Sequence, residues 1–132
     1  MYKENFSFLT YSLTKINYSN TNQNNTYFTI DLNDSFNSED NVYVLNIRIG
    51  CDFSKDESEF IFQSKFKIIN LEWFNNISQN DKRGTFLNIV FPFIREKLLL
   101  ITTDDEFGLF IPVINFSNLD FSKQIRFNKV LK

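Results

Sequence analysis

The chain has 132 residues, with 14 basic and 16 acidic side chains, no histidine and one cysteine, Cys51. This length suits a single domain, residues 1–132, that buries its core without a disulfide or a metal. The absence of histidine excludes histidine-based triads, histidine metal sites and the commonest general base. The nearly balanced charge lacks the basic face of a nucleic-acid binder. We therefore expect neither an enzyme nor a protein that binds a metal, a cofactor or nucleic acid.

The first two strand-like segments differ in regularity. Residues 6–18 (FSFLTYSLTKINY) alternate apolar and polar side chains but change phase along the segment, which predicts a bulge or bend. After the polar turn-forming residues 19–25, residues 27–32 (YFTIDL) place three apolar side chains on one face, namely Phe28, Ile30 and Leu32. Both segments are predicted to be strands.

Two further segments predict a hairpin. Residues 42–53 (VYVLNIRIGCDF) show the cleanest alternation in the chain, and residues 59–69 (EFIFQSKFKII) alternate again. The polar residues 54–58 (SKDES) separate them, as the turn of an antiparallel hairpin requires.

A change of period marks the second half of the chain. Residues 75–84 are polar, and from Phe86 to Thr103 apolar residues are too dense for a helix that is buried on one side. The helix predicted here must be covered on more than one side. Pro92 should kink or interrupt it, giving a short first part and a longer second part. The acidic residues 104–106 that follow are interpreted as a helix-terminal turn rather than a cation site.

Residues 116–132 (FSNLDFSKQIRFNKVLK) have the apolar spacing of a terminal amphipathic helix, with lysines near its end as the helix dipole favours. The predicted fold is α+β: a four-stranded antiparallel sheet followed by a long apolar helix and this C-terminal amphipathic helix. The sequence shows no basic-then-apolar leader and no apolar run of about 18 residues. We expect a cytoplasmic protein with no membrane partner.

The order of these elements resembles the SecB family of protein-export chaperones. Five motifs occur in the family's order: TKINY (14–18), TIDL (29–32), DNVYVLNIRI (40–49), NIVFPFIRE (88–96) and FIPVINFSNL (110–119). The most specific is NIVFPFIRE, and the resemblance covers roughly residues 6–121. The chain departs from the family in a shortened connection between the first two strands, in Leu87 where a proline is usual, and in a basic rather than acidic end.

The resemblance implies an ATP-independent holdase that binds unfolded or partly folded polypeptides in a hydrophobic groove between the sheet and the terminal helix. Transferred by position, this client-binding groove contains Tyr18, Phe28, Ile30, Leu32, Phe116, Leu119 and Ile125. Each of these residues is equally compatible with an ordinary core position.

The family's subunits pack through their sheets and first helices into a dimer of dimers, which implies a homotetramer or a dimer here. The implied oligomer interface consists of Phe86, Ile89, Val90, Phe93, Ile94, Leu98 and Ile101. A helix buried within a monomer is the alternative interpretation of the same residues.

Two other functions stay open. One is a dedicated chaperone of an antitoxin in a toxin–antitoxin system, SecB-like in fold but serving one client. The other is a β-rich structural or small-ligand-binding domain whose 17 phenylalanines are simply core. The polar-facing positions of the fourth strand include Lys65 and Lys67 where the family is acidic, so we expect little or no binding of the export ATPase SecA.

Overall fold

The computed structural model describes residues 4–17, 27–51, 58–101, 113–117 and 119–128. Its elements follow chain order as β1 (Phe6–Asn17), β2 (Tyr27–Asn37), β3 (Val42–Cys51), β4 (Ser58–Ile68), α1 (Leu71–Asn76), α2 (Gln79–Ile101) and β5 (Ile125–Asn128). The strands form one antiparallel sheet in the order β1-β4-β3-β2-β5. The predicted α+β class, with four antiparallel strands followed by helices, is confirmed.

The predicted hairpin of β3 and β4 is also confirmed. Val42 lies opposite Lys67 and Cys51 lies opposite Ser58, with no register shift between them. Side chains at alternate positions point to one face of the sheet, as strand geometry requires. On this inner face Leu45, Ile47 and several phenylalanines of β4 are fully buried.

The irregularity predicted in β1 is present at two places. The register against β4 shifts between Phe8 and Thr10, and again between Leu13 and Lys15. Each shift inserts one extra residue into β1, so apolar side chains on both sides of it stay on the inner face. The two phase changes in the sequence are these two shifts.

Helix α2 begins earlier than predicted, inside the polar stretch that we interpreted as a connection. The Ser78 hydroxyl accepts a hydrogen bond of 3.0 Å from the Asp81 N–H, which caps the first turn. The Ser78 to Asp81 spacing matches the capping pattern that marks a helix start in sequence. The hydrophobic period alone does not reveal this turn, because its residues are polar.

The predicted interruption at Pro92 is wrong, because α2 runs through this residue as one helix of 23 residues. A proline inside a helix removes one backbone hydrogen bond. The neighbouring residues Phe91 and Ile94 are buried, whereas Pro92 is exposed. Burial on both sides of Pro92 therefore holds the helix together across the missing bond.

The predicted C-terminal amphipathic helix is wrong over the described residues. Residues 113–117 and 119–124 are not helical, and residues 125–128 form β5, which pairs with β2 from Ile30 opposite Ile125 to Tyr27 opposite Asn128. This pairing satisfies backbone groups at the edge of β2 that a helix would leave unpaired. Residues 129–132 of the predicted helix lie outside the described residues.

The core lies between the inner face of the sheet and α2. Phe86 of α2 is fully buried, with its ring centroid 4.5 Å from that of Phe66 on β4 and 4.7 Å from that of Tyr43 on β3. Phe6 of β1 and Trp73 of α1 complete this aromatic cluster at one end of the sheet. Aromatic side chains of this size dominate the burial in so small a chain.

The outer face of the sheet is polar and carries a row of ion pairs. Arg48 on β3 donates to Glu59 on β4 at 2.6 Å and to Asp31 on β2 at 3.3 Å, and Lys15 on β1 lies 2.7 Å from Glu59. The row thus joins four strands. The Arg48 guanidinium lies over Gly50, where an added Cβ would be 2.7 Å from its Nη1, so a glycine gives it room.

Candidate functional site

Three aromatic side chains form a partly exposed surface beside the edge strand β1. The ring of Phe93 on α2 lies 5.5 Å from that of Phe8 and 5.6 Å from that of Tyr11, both on β1. Phe93 is 42% exposed, an unusual state for a phenylalanine in a folded chain. We call these residues, Phe8, Tyr11 and Phe93, the aromatic surface.

The first irregularity of β1 creates this arrangement. Phe8 lies opposite Phe66, and Tyr11 lies opposite Ser64. The two β1 residues are three positions apart in sequence, whereas their partners in β4 are only two positions apart. Without the extra residue, Phe8 and Tyr11 would point to opposite faces of the sheet. Leu9 occupies the irregularity and is 52% exposed.

The residues predicted to line the client-binding groove do not form an accessible groove in the described chain. Phe28, Ile30 and Phe116 are at most 1% exposed and belong to the core. Leu32, Leu119 and Ile125 are partly buried against that core. Tyr18 lies outside the described residues. Phe116 and Leu119 belong to a segment that is held on α2, and Ile125 lies in β5, which pairs with β2.

The residues predicted to form the oligomer interface divide into two groups. Phe86, Val90, Ile94 and Leu98 are fully buried within one chain, so they offer no surface to a second copy. Ile89 and Ile101 are partly buried, and Phe93 is exposed. Leu100, which we did not include, is 69% exposed.

The segment before β5 is held to α2 by side-chain amides. We call residues 115–117 and 119–121 the strap. Asn88 accepts a hydrogen bond of 2.7 Å from the Phe116 N–H and donates to Ser117 Oγ. Asn80 accepts one of 2.6 Å from the Phe121 N–H and donates to the Leu119 carbonyl. Both asparagines therefore contact the backbone of the strap.

Gly84 lies between these two asparagines, one turn from each, and allows the strap to approach α2 closely. A Cβ at Gly84 would lie 2.8 Å from the Phe116 carbonyl oxygen, closer than such atoms approach. The Phe116 side chain then packs on Phe91, with ring centroids 4.9 Å apart. Sequence reasoning missed the strap contacts, although the polar spacing of residues 80, 84 and 88 places them on one helix face.

A charged pair joins α2 to the sheet beneath the strap. Arg83 donates to Asp34 of β2 at 3.0 Å and to the Phe121 carbonyl at 2.8 Å. Asp34 also accepts hydrogen bonds from the Tyr43 hydroxyl at 2.7 Å and from Gln79 at 3.0 Å. Three donors thus converge on one carboxylate whose side chain is only 7% exposed.

The pKa values in this cluster follow from burial and these hydrogen bonds. Burial alone would raise the pKa of Asp34, but the hydrogen bonds from Arg83 and Tyr43 and the charge of Arg83 lower it below its ordinary value. Burial raises the pKa of the Tyr43 hydroxyl, and its hydrogen bond to Asp34 raises it further. Asp34 is therefore held as a carboxylate and Tyr43 as a phenol, which are structural states here.

Within the described ranges, no three Cys, Asp or Glu side chains are grouped so that they could hold a metal ion. The acidic residues 104–106 lie outside these ranges. None of the helices in the described part of the chain is both long and apolar enough to span a membrane.

No protein-family model matches the chain, and no curated protein matches it. The resemblance to SecB therefore stays a prediction from the motifs.

Proposed function

We propose that this chain is an ATP-independent holdase that binds unfolded or partly folded polypeptides and keeps them from aggregating. The observation that carries the proposal is the aromatic surface, where Phe93 is 42% exposed beside two further rings. Exposed apolar clusters on a folded chain mark interaction sites. Aromatic rings give large contact areas that tolerate many client sequences.

In this proposal the client contacts move from the predicted groove to the aromatic surface. Phe28, Ile30 and Phe116 serve the core, since their side chains are already buried. A client segment that covers Phe93 and its neighbours removes apolar area from water, which contributes about 25 cal/mol for each Å². No nucleotide, metal or catalytic residue is needed for such binding.

Self-association belongs to the same proposal, with a homotetramer built as a dimer of dimers, or a dimer, as the expected state. Ile89 and the exposed Leu100 lie at helical spacing on the face of α2 that also carries Phe93, whereas Ile101, one turn after Leu98, packs against the core. Covering such a face with a second copy removes it from water. The four buried residues of the predicted interface stabilise the single chain instead.

The experiment is an aggregation assay on a chemically denatured enzyme unrelated to this chain, followed by light scattering during dilution. The wild-type chain should suppress aggregation at a few-fold molar excess. Phe93→Ser should lose most of this effect, whereas Val113→Ser, which changes an 86% exposed side chain outside the aromatic surface, should keep it. No suppression of any client, or equal activity of both variants, would overturn the proposal and favour a structural or ligand-binding domain.

A dedicated role, such as the chaperone of one antitoxin, is the second candidate, and the outer face of the sheet favours it over general export. Lys65 and Lys67 of β4 face outward, near the end of the strand. In the SecB family this face is acidic where it engages SecA, so a partner shaped for carboxylates would be repelled. Titration against SecA at low salt should show little or no binding; tight, salt-sensitive binding would restore the export role.

A further inference from the structure

An open cavity lies at the end of the sheet where β1 begins and β4 ends. Its volume is about 660 Å³, and it is lined by Glu4, Ile69, Asn70, Leu71 and Glu72. Ile69 is 54% exposed and Leu71 is 39% exposed, although both are aliphatic. Two carboxylates thus flank two exposed aliphatic side chains, and none of the described lining residues is basic. Such a site suits a segment that combines aliphatic side chains with positive charge.

The chain itself contains a segment with this composition. Residues 129–132, which follow β5, read Lys-Val-Leu-Lys, so two lysines flank two aliphatic residues. The lysines would meet Glu4 and Glu72, and Val130 and Leu131 would cover Ile69 and Leu71. We propose that residues 129–132 of a second copy of the chain bind in this cavity.

The geometry of the sheet requires a second copy, because the chain's own segment cannot reach. Asn128, the last residue of β5, lies opposite Tyr27 at one end of the sheet, whereas Phe6 lies opposite Ile68 at the other end. The 11 residues of β4 separate these ends by roughly 33 Å. Four extended residues span at most about 14 Å. The segment therefore binds in trans or not at all.

The cavity lies beside β1 and β4, at the sheet edge opposite β5, so the end of β5 and the cavity are separated across the sheet as well as along it. This inference rests on the self-association proposed above and assigns a specific contact to it.

The test exchanges the charges of the two surfaces in the full-length chain. One variant carries Glu4→Lys and Glu72→Lys, a second carries Lys129→Glu and Lys132→Glu, and a third carries all four changes. Sedimentation at about 0.01 M ionic strength, where the Debye length is roughly 30 Å, reports the dissociation constant of the oligomer. Each double variant should raise this constant at least tenfold, and the fourfold variant should bring it back to within about threefold of wild type.

A matched control reverses two exposed carboxylates of the turn between β2 and β3 that do not line the cavity, through Glu39→Lys and Asp40→Lys, and should leave association unchanged. A fourfold variant as weak as the double variants would overturn the inference, as would double variants that associate like wild type. A wild-type chain that sediments as a monomer would overturn the self-association as well. Client suppression by the same variants tests the holdase proposal separately, since none of the four positions belongs to the aromatic surface.

Discussion

The guanidinium of Arg83 on α2 donates a hydrogen bond of 3.0 Å to the carboxylate of Asp34 on β2, in a place where Asp34 is only 7% exposed. The pair fixes α2 on the sheet, and the second hydrogen bond of Arg83, to the Phe121 carbonyl, fixes the strap on α2. Three parts of the chain thus depend on one side chain. Loss of the pair would therefore weaken the attachment of both α2 and the strap.

Arg83→Met should therefore destabilise the chain strongly. The change leaves the Asp34 carboxylate buried without its charge partner, which costs about 3 kcal/mol or more in comparable pairs. Denaturant unfolding gives the free energy of unfolding. The double variant Asp34→Asn with Arg83→Met should recover part of the loss, because it removes the unpaired charge. A double variant that loses the full sum of the two single losses would show that the pair is not coupled.

Asp34 should make the free energy of unfolding decrease at acid pH. Its pKa in the folded chain is lowered below the value of an unfolded aspartate, so its contribution is fully present above the unfolded pKa. The contribution is lost as the pH falls from about 4 through the lower folded pKa. Unfolding measured from pH 7 down to pH 2 should fall more steeply for wild type than for Asp34→Asn. Equal slopes would mean that the carboxylate is not stabilised in the fold.

Gly84→Ala tests the close approach of the strap to α2. Alanine is favoured over glycine in a helix interior by about 1 kcal/mol, so an unhindered position would become more stable. Here the added Cβ would lie 2.8 Å from the Phe116 carbonyl oxygen, so the strap must move. We expect a net loss of roughly 1–3 kcal/mol, as overpacking costs. Amide exchange at Phe116 and Phe121 should accelerate; unchanged exchange with raised stability would contradict the strap contact.

The local sequence pattern predicts the first four strands of the sheet, but it does not predict the C-terminal segment that packs on α2 and pairs with β2. The alternation around Leu45 and Ile47 predicts β3 and its hairpin because strand period and burial coincide at those positions. Residues 125–128 carry no such signal, since β5 forms only by pairing with β2, about 95 residues earlier in the chain. A long-range pairing of this kind overrides the helical spacing that residues 116–132 show.

Long-range packing, which the local sequence pattern does not contain, also decides which residues belong to the candidate site. Phe28 and Ile30 have the apolar spacing of either a core or a groove, and only their burial in the folded chain, each 1% exposed, assigns them to the core. The exposure of Phe93 depends on where α2 crosses the sheet. The sequence pattern does not predict this crossing position. Its neighbours Phe8 and Tyr11 were predicted on both sides of a phase change, and that change is what brings them together.

The most direct test of the central claim is to replace Phe93 with a photo-crosslinking phenylalanine analogue and irradiate the chain with a labelled unfolded client. The holdase account predicts a covalent adduct with the client at this position, and little or none when the same analogue replaces Val113, which is more exposed but lies outside the aromatic surface. Adducts joining two copies of the chain, with none to the client, would place Phe93 in a subunit interface and contradict the account.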